Sequence, residues 1–541
     1  MSTEEQLLLL ARSLYWTMPV VLALWGWALV VRWRAESWSA AALLRRHGPG
    51  AVVAIAVTAA CLLIVPPQMR VQFDETSLVS VSQNMHEQRA ALLTTGAVPF
   101  DGTLMRLENM VDKRPPLFPF LVSVLHDLCG ARIGNAFAVN AALLVVLLTL
   151  AHALARRWLD RWTSLVAPVL LVATPLVPVV ATSAGFELLA AVLFLVVLLA
   201  ALDVVERPEP PRVLGFVASG LLFAQSRYES FAVLAVVGAV VLWRTRRVLR
   251  LDRRAVVALC LAPVLLAPVA LLLLHARNPN FYPEAAGRDL VAPAHLLEHA
   301  PAFLLGYFAP GSDHVWPGVL GIAGLSGYAA WRFRHRGALG DDLLVLLPVL
   351  AATAIALSWF HGDVREPTAV RLFLPAAIAG GLAPLLWYRM LGARVPGVLF
   401  AVVVVVGATA RLLELRRGAV FPRLEAAKLT DALDAAIAQV GTSPGDTLWV
   451  SVAAQHLIVK GHAALSPEAF VRRSARPAGQ PSTIDELRAR GDIKQLILVE
   501  TPLDDAFAPA FGSVKELLAA IPTDVVARFD LGLPIVVHRA R

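Results

Sequence analysis

The sequence predicts a polytopic α-helical membrane protein with a small C-terminal α/β domain outside the bilayer. Three observations predict it. Apolar residues make up 57% of the chain and charged residues only 16%, with a mean hydropathy of +0.66, far from what a water-facing surface demands. The apolar residues gather into about twelve runs near the ~20 residues that a bilayer-crossing helix needs. Arginines cluster between alternate runs, as they do in loops held on the cytoplasmic side.

The runs are 15–31, 50–66, 132–154, 163–183, 186–205, 213–226, 229–243, 255–274, 315–331, 342–360, 372–389 and 396–412. Arg32, Arg34, Arg45 and Arg46 follow the first, and Arg156, Arg157 and Arg161 follow the third. Arg244, Arg246, Arg247, Arg250, Arg253 and Arg254 lie together, then Arg332, Arg334 and Arg336, then Arg389 and Arg394. With all of these in the cytoplasm the runs alternate without conflict, and residues 67–131, 275–314, 361–371 and 413–541 fall outside together with the N-terminus. Arg411, Arg416 and Arg417 run against that rule at the last span.

The same distribution accounts for the net charge of +8. Basic residues in short loops, rather than along one stripe, describe lipid topology and no nucleic-acid partner. Cys61, Cys129 and Cys260 are too scattered for a disulfide framework or a zinc site. The opening MSTEEQLLLLARSLYW is acidic before it is basic and lacks a small-residue cleavage signature, so the first run is expected to be a retained anchor. Three regions follow: an anchor span and cytoplasmic loop at 1–49, a transmembrane domain at 50–412 with the long outer loop 67–131, and an outer α/β domain at 413–541.

Within the outer loop, SLVSVSQNMHEQRAALLTTG has helical character, TTGAVPFDG reads as a turn, and KRPPLFPFLVSVLHDLCG opens on two prolines. The last piece is expected to lie at the interface rather than cross, because a crossing there would move every later arginine cluster to the wrong side. In the C-terminal region TLWVSV, QLILVE, VVARFD and PIVVHR are strand-like, and LEAAKLTDALDAAIAQV and VKELLAAI are helix-like. It carries no glycine-rich phosphate loop and no metal-ligand spacing.

Chemistry-bearing residues recur in a definite order. Asp74-Glu75 open the outer loop; Lys113-Arg114-Pro115-Pro116-Leu117 follow, with Phe118 and Phe120, then Leu128-Cys129-Gly130 and a span closing on Arg156-Arg157. In this order and spacing the chain resembles the polyprenyl-phosphate-dependent glycosyltransferases of the GT-C class. The likeness is closest to the superfamily of dolichyl-phosphate-mannose protein mannosyltransferases and aminoarabinose transferases, and the Asp-Glu pair leans toward the mannosyltransferase branch. It extends over about residues 50–390 through Glu187 in ATSAGFELL, Arg227 and Glu229 in GFVASGLLFAQSRYES, and Arg365 and Arg371 in REPTAVRLFLPA. Where many relatives read Lys-Pro-Pro, this chain reads Lys-Arg-Pro-Pro, so either basic residue is a candidate for phosphate contact.

The resemblance implies transfer of a sugar, with inversion, from a polyprenyl-phosphate donor to a lipid, glycan or protein acceptor on the outer face of an inner membrane. Such chemistry needs a base for the acceptor hydroxyl and positive charge for the departing phosphate. Asp74 is the candidate base and Glu75 its fallback, while Glu187 would fix the acceptor or a divalent cation, the one cofactor entertained, with Asp74 and Glu187 as its candidate ligands. Lys113, Arg114, Arg227 and Arg371 are the candidate phosphate contacts, arginine for its planar fork and lysine as a point charge. Each has a plainer role open to it: Asp74 as a helix N-cap, Lys113 and Arg114 snorkelling at headgroups, Arg227 paired with Glu229. His361 and Asp363 in FHGDVREP read as a solvated loop. The rivals are a flippase or transporter of a lipid-linked saccharide, for which inverted repeats with paired broken helices are missing, and a catalytically inactive relative.

Overall fold

The structure is a computed structural model and describes residues 3–276, 289, 291–308, 315–336, 342–391, 397–416, 425–441, 445–475, 482–531 and 533–541. Arg394 and Arg417, used above for orientation, lie outside the described residues.

Every apolar run is helical. Helix α1 spans Thr3–Ala35 and α2 Ala40–Ile64, the latter capped by Ser39, whose hydroxyl accepts from the Ala42 N–H at 3.0 Å. The outer loop holds α3 (Gln72–Gln88), a hairpin of β1 (Leu92–Phe100) and β2 (Thr103–Val111), and α4 (Leu117–Cys129). Next come α5 (Gly134–Ala155), α6 (Val166–Ala173), α7 (Leu176–Ala181), α8 (Glu187–Glu206), α9 (Pro210–Ala224), α10 (Glu229–Thr245) and α11 (Arg253–His275). They are followed by α12 (Pro293–Phe308), α13 (Val315–Arg336), α14 (Asp342–Ser358), a single turn α15 (Pro367–Val370), α16 (Leu374–Leu391) and α17 (Gly397–Arg416). Seven helices among the described residues are long and apolar enough to cross a bilayer; α9 and α14 are shorter apolar helices. Helix α8 is buried almost all round and packs against α5, α9 and α10.

Three local expectations change. The run 163–183 is not one continuous helix: it opens with a 3-10 turn and breaks between α6 and α7. Pro175 brings no N–H and holds the preceding Thr174 in an extended conformation, φ −78 and ψ 112. The helical stretch of the outer loop ends at Gln88 rather than running on, with Arg89 left-handed at φ 54. The segment TTGAVPFDG is mostly strand, and the turn is confined to Asp101-Gly102, both at positive φ, the geometry that an Asp-Gly hairpin favours. Helix α4, at 13 residues and about 20 Å, is too short to cross; it buries Phe118, Val122 and His126 along one face and Phe120 on another.

The C-terminal region opens on α18 (Glu425–Val440) and builds a five-stranded sheet of β3 (Thr447–Val450), β4 (Ala463–Leu465), β5 (Gln495–Glu500), β6 (Thr523–Asp530) and β7 (Pro534–Ala540), with α19 (Ala454–Val459) between the first two strands. Its order is β4-β3-β5-β7-β6, the first three parallel and β7 antiparallel to both neighbours. Alternation along the strands fills two cores, Trp449, Ile497 and Val537 on one face and Leu448, Val450 and Leu498 on the other. The outer-loop hairpin shares both: Ala97 belongs to the first and Val98 to the second.

Candidate active site

The site begins with the broken helix. Non-helical backbone at membrane depth must find partners inside the protein, and the segment after α7 finds them. The Thr182 carbonyl accepts from the Gln68 N–H at 3.0 Å, and the Asn140 amide donates to the Ser183 and Gly185 carbonyls at 2.7 and 2.9 Å. Arg70 donates to the Thr182 hydroxyl at 3.0 Å. Glu75 completes the staple: its carboxylate accepts from the backbone N–H groups of Arg70, Val71 and Ala184 at 3.1, 3.1 and 3.2 Å. The start of α3 is thereby fixed against the turn that leads into α8, and the neighbouring residues Asp74 and Glu187 are presented to one another.

Asp74 is the third residue of α3 and does not cap it; no side chain caps that helix. Its carboxylate instead accepts from two guanidiniums, Arg114 on Oδ1 and Arg371 on Oδ2. Arg371 also faces Glu187 Oε1 at 3.0 Å, so one arginine bridges the two carboxylates. Arg227 approaches the same Glu187 oxygen at 3.6 Å, forks onto Glu229 at 3.0 and 3.1 Å, and lies 4.9 Å over the Phe186 ring. Arg114 donates to Asp112 at 2.7 Å as well. The result is a continuous chain of alternating charge, Asp112–Arg114–Asp74–Arg371–Glu187–Arg227–Glu229, drawn from five separate places in the sequence.

Burial and charge push the acids apart. Burial alone would raise the Asp74 carboxyl, but Arg114 and Arg371 override it and hold it well below the usual carboxylate range. Glu75 goes the other way: burial pushes it up to about 7 against its three backbone donors. Asp112 is also raised by burial, despite Arg114 and Lys113. Asp74 keeps 27% of its side chain exposed while Glu187, which lines the neighbouring cavity, keeps only 3%. Beside Glu187, Arg227, Glu229 and Arg371 lies a cavity of about 50 Å3 whose remaining walls, among them Phe194, Phe223 and Val233, are apolar apart from Ser230.

Of the seven residues singled out in the sequence, Asp74, Glu187, Arg114, Arg227 and Arg371 meet in this cluster. Glu75 is directed away from it, onto the staple, and Lys113 is half-buried beside Arg114. The pairing of Arg227 with Glu229 is present, as the plainer expectation had it, but extended by Glu187. His361 is exposed beside Glu366 at 3.4 Å, and Asp363 pairs with Arg365. Among the described residues no group of three or more His, Cys, Asp or Glu side chains is arranged to hold a metal. Sequence inspection passed over Asp112, Asn140 and Gly185. The last leaves room for the site: a Cβ there would stand 2.3 Å from Glu187 Oε2.

No protein-family model and no curated protein sequence matches the chain. Solved structures do. ArnT from Cupriavidus metallidurans bound to undecaprenyl phosphate is 18% identical, with a TM-score of 0.52 over 90% of this chain and 96% of that one. The same protein in the apo state is 17% identical, with a TM-score of 0.56 over 90% and 97%. At this identity the likeness shows the fold: the chain shares the polytopic helical architecture of ArnT, in keeping with the GT-C-like fold that its loop motifs led one to expect.

Proposed function

We propose that the chain is a membrane glycosyltransferase that moves a sugar from a polyprenyl-phosphate donor to an acceptor on the outer face of the inner membrane, with inversion. One observation carries this: a partly exposed carboxylate, Asp74, gripped by two guanidiniums, one of which, Arg371, also lines a largely apolar cavity. The likeness in fold to a protein crystallised with undecaprenyl phosphate supports the donor class.

In this proposal the acceptor oxygen attacks the anomeric carbon, the bond from that carbon to the phosphate oxygen breaks on the opposite side, and the electron pair leaves with the phosphate. Arg114 and Arg371, with Lys113 alongside, take up the phosphate charge. The acceptor proton passes to Asp74. A carboxylate held by two arginines is a poor base, and the donor itself relieves this. Phosphate oxygens compete for the same planar forks with more charge than a carboxylate brings, so donor entry draws the guanidiniums off Asp74 and lets its pKa climb. Glu187 keeps Arg371 from swinging free meanwhile. The apolar walls beside the cluster suit a prenyl chain entering sideways from the bilayer.

The test is sugar transfer in membranes supplied with a panel of labelled polyprenyl-phosphate sugars, wild type against Asp74→Asn at equal expression. A loss of roughly 10²–10⁴-fold is expected if Asp74 is the base. Transfer that survives the substitution removes Asp74 from that role. If the wild type consumes no donor, the transferase proposal itself falls and a lipid-saccharide flipping assay takes its place.

A further inference from the structure

A second polar-and-apolar recess lies at the other end of the helix bundle. Helix α8 starts at Glu187 and runs 20 residues, about 30 Å, to Glu206, so its far end reaches the opposite headgroup level. There Asp203 accepts from Arg32 and Arg157 at 2.5 and 2.9 Å, and Glu36 from Arg32 at 2.9 Å, with Arg212 at 3.2 Å from the same oxygen. These arginines are neutralised within the protein. Next to them, a groove of about 600 Å3 opens between the last turns of α1 and the first residues of α9 and α11, lined by Trp27, Val30, Val31, Arg34, Pro211 and Arg254. Arg34 and Arg254 are exposed and make no ion pair or side-chain hydrogen bond among the described residues.

We propose that this groove binds one anionic glycerophospholipid, its phosphate between Arg34 and Arg254 and an acyl chain along Trp27 and Val30. The occupant follows from charge and position. Two uncompensated guanidiniums stand at the rim of an apolar trough, on the side of the bundle where the arginine clusters gather. Exposed Trp27 and Trp33, at 40% and 41%, mark a headgroup belt. A zwitterionic lipid brings its own cation to the phosphate and leaves the pair less well answered. The site is remote from Asp74, and the proposal stands or falls independently of sugar transfer.

The experiment uses the full chain, purified in detergent and stripped of lipid, with bound lipid counted by native mass spectrometry and unfolding followed by temperature. Phosphatidylglycerol, phosphatidylcholine and undecaprenyl phosphate are added separately. Phosphatidylglycerol is expected to bind and stabilise in preference to the others. Arg34→Ala and Arg254→Ala should each weaken it about fivefold, from about 1 kcal/mol for a basic residue at a lipid surface, and the double variant about 25-fold. Ala35→Trp, which fills the groove without touching its charge, should abolish the preference. Arg246→Ala with Arg247→Ala, exposed but outside the groove, should leave it intact. Equal binding of phosphatidylcholine, full retention in the double variant, equal loss in the control, or preference for undecaprenyl phosphate would each overturn the assignment.

Discussion

Gly185→Ala offers a way to move one carboxylate while leaving the fold nearly alone. A Cβ at this position would lie 2.3 Å from Glu187 Oε2, 3.3 Å from Ser183 Oγ and 3.4 Å from Glu187 Cδ. Ordinary contact begins near 3.4 Å, so the carboxylate must retreat by about 1 Å. What it meets is the end of a flexible side chain rather than backbone, and Gly185 is not among the glycines with positive φ, so no backbone strain adds to the cost. The 3.0 Å contact between Glu187 and Arg371 must lengthen or break, while the surrounding apolar packing is untouched. Misplacement by about 1 Å at a catalytic constellation costs up to roughly 10²-fold in rate, whereas overpacking that a side chain can relieve costs at most about 1–3 kcal/mol. Transfer activity should therefore fall 10- to 100-fold with the unfolding midpoint lowered by only a few degrees. Glu187→Gln should produce a similar loss, and the double variant little more than either, because both act through one contact. A Gly185→Ala protein with full activity, or losses that multiply in the double variant, would refute the view that Glu187 holds Arg371 in place.

Three further outcomes follow from the same geometry. Glu75 titrates at about 7 in the fold and near the ordinary carboxylate value when unfolded, so the unfolded chain ionises first as pH rises. Its contribution is fully present at acid pH, declines by about 3 kcal/mol between about 4.5 and 7, and is flat above. The difference in unfolding midpoint between wild type and Glu75→Gln, measured across that window, should show this slope. Arg227→Met strands Glu229, while Glu187 keeps Arg371, and should cost about 3–5 kcal/mol, partly recovered by adding Glu229→Gln, as read in thermal unfolding. Gln455 accepts from the Thr76 and Ser77 hydroxyls at 3.2 and 3.1 Å, and at about 1 kcal/mol for such bonds Gln455→Ala should speed amide exchange in the first turns of α3 about fivefold.

How much was legible depended on how far apart in sequence the partners lie. The apolar runs and arginine clusters are local signals, and every run became helix. The strands around Trp449, Ile497 and Val537 were readable from β-branched and apolar alternation over a few residues. Asp74, Arg114, Glu187, Arg227 and Arg371 could be picked out because each stands in a short motif at a span edge, but their pairing could not, since nothing within a motif says that position 371 will face positions 74 and 187. The backbone donors that hold Glu75 were hidden for the same reason: one of them, Ala184, is 109 residues away. The break at Pro175 was written in the sequence, yet a continuous apolar count hides it, and the hairpin was hidden by treating all of TTGAVPFDG as one turn when only Asp-Gly makes it.

The staple between the start of α3 and the segment after α7 also bears on how the protein is made. Chain enters the membrane from the N-terminal end, so Asp74 meets Arg114 soon after it emerges but Arg371 only 297 residues later. Until the segment carrying Thr182 and Ala184 is inserted, the Glu75 carboxylate lacks the Ala184 donor, and until residue 371 arrives Asp74 and Glu187 have no common counter-ion. The nascent protein can thus pair Asp74 with Arg114 and Glu187 with Arg227 early, and the bridge that joins the two halves of the cluster closes only when Arg371 arrives. Partial products that stop before residue 371 would leave Asp74 and Glu187 without the arginine that joins them, so the site is completed only with the last spans.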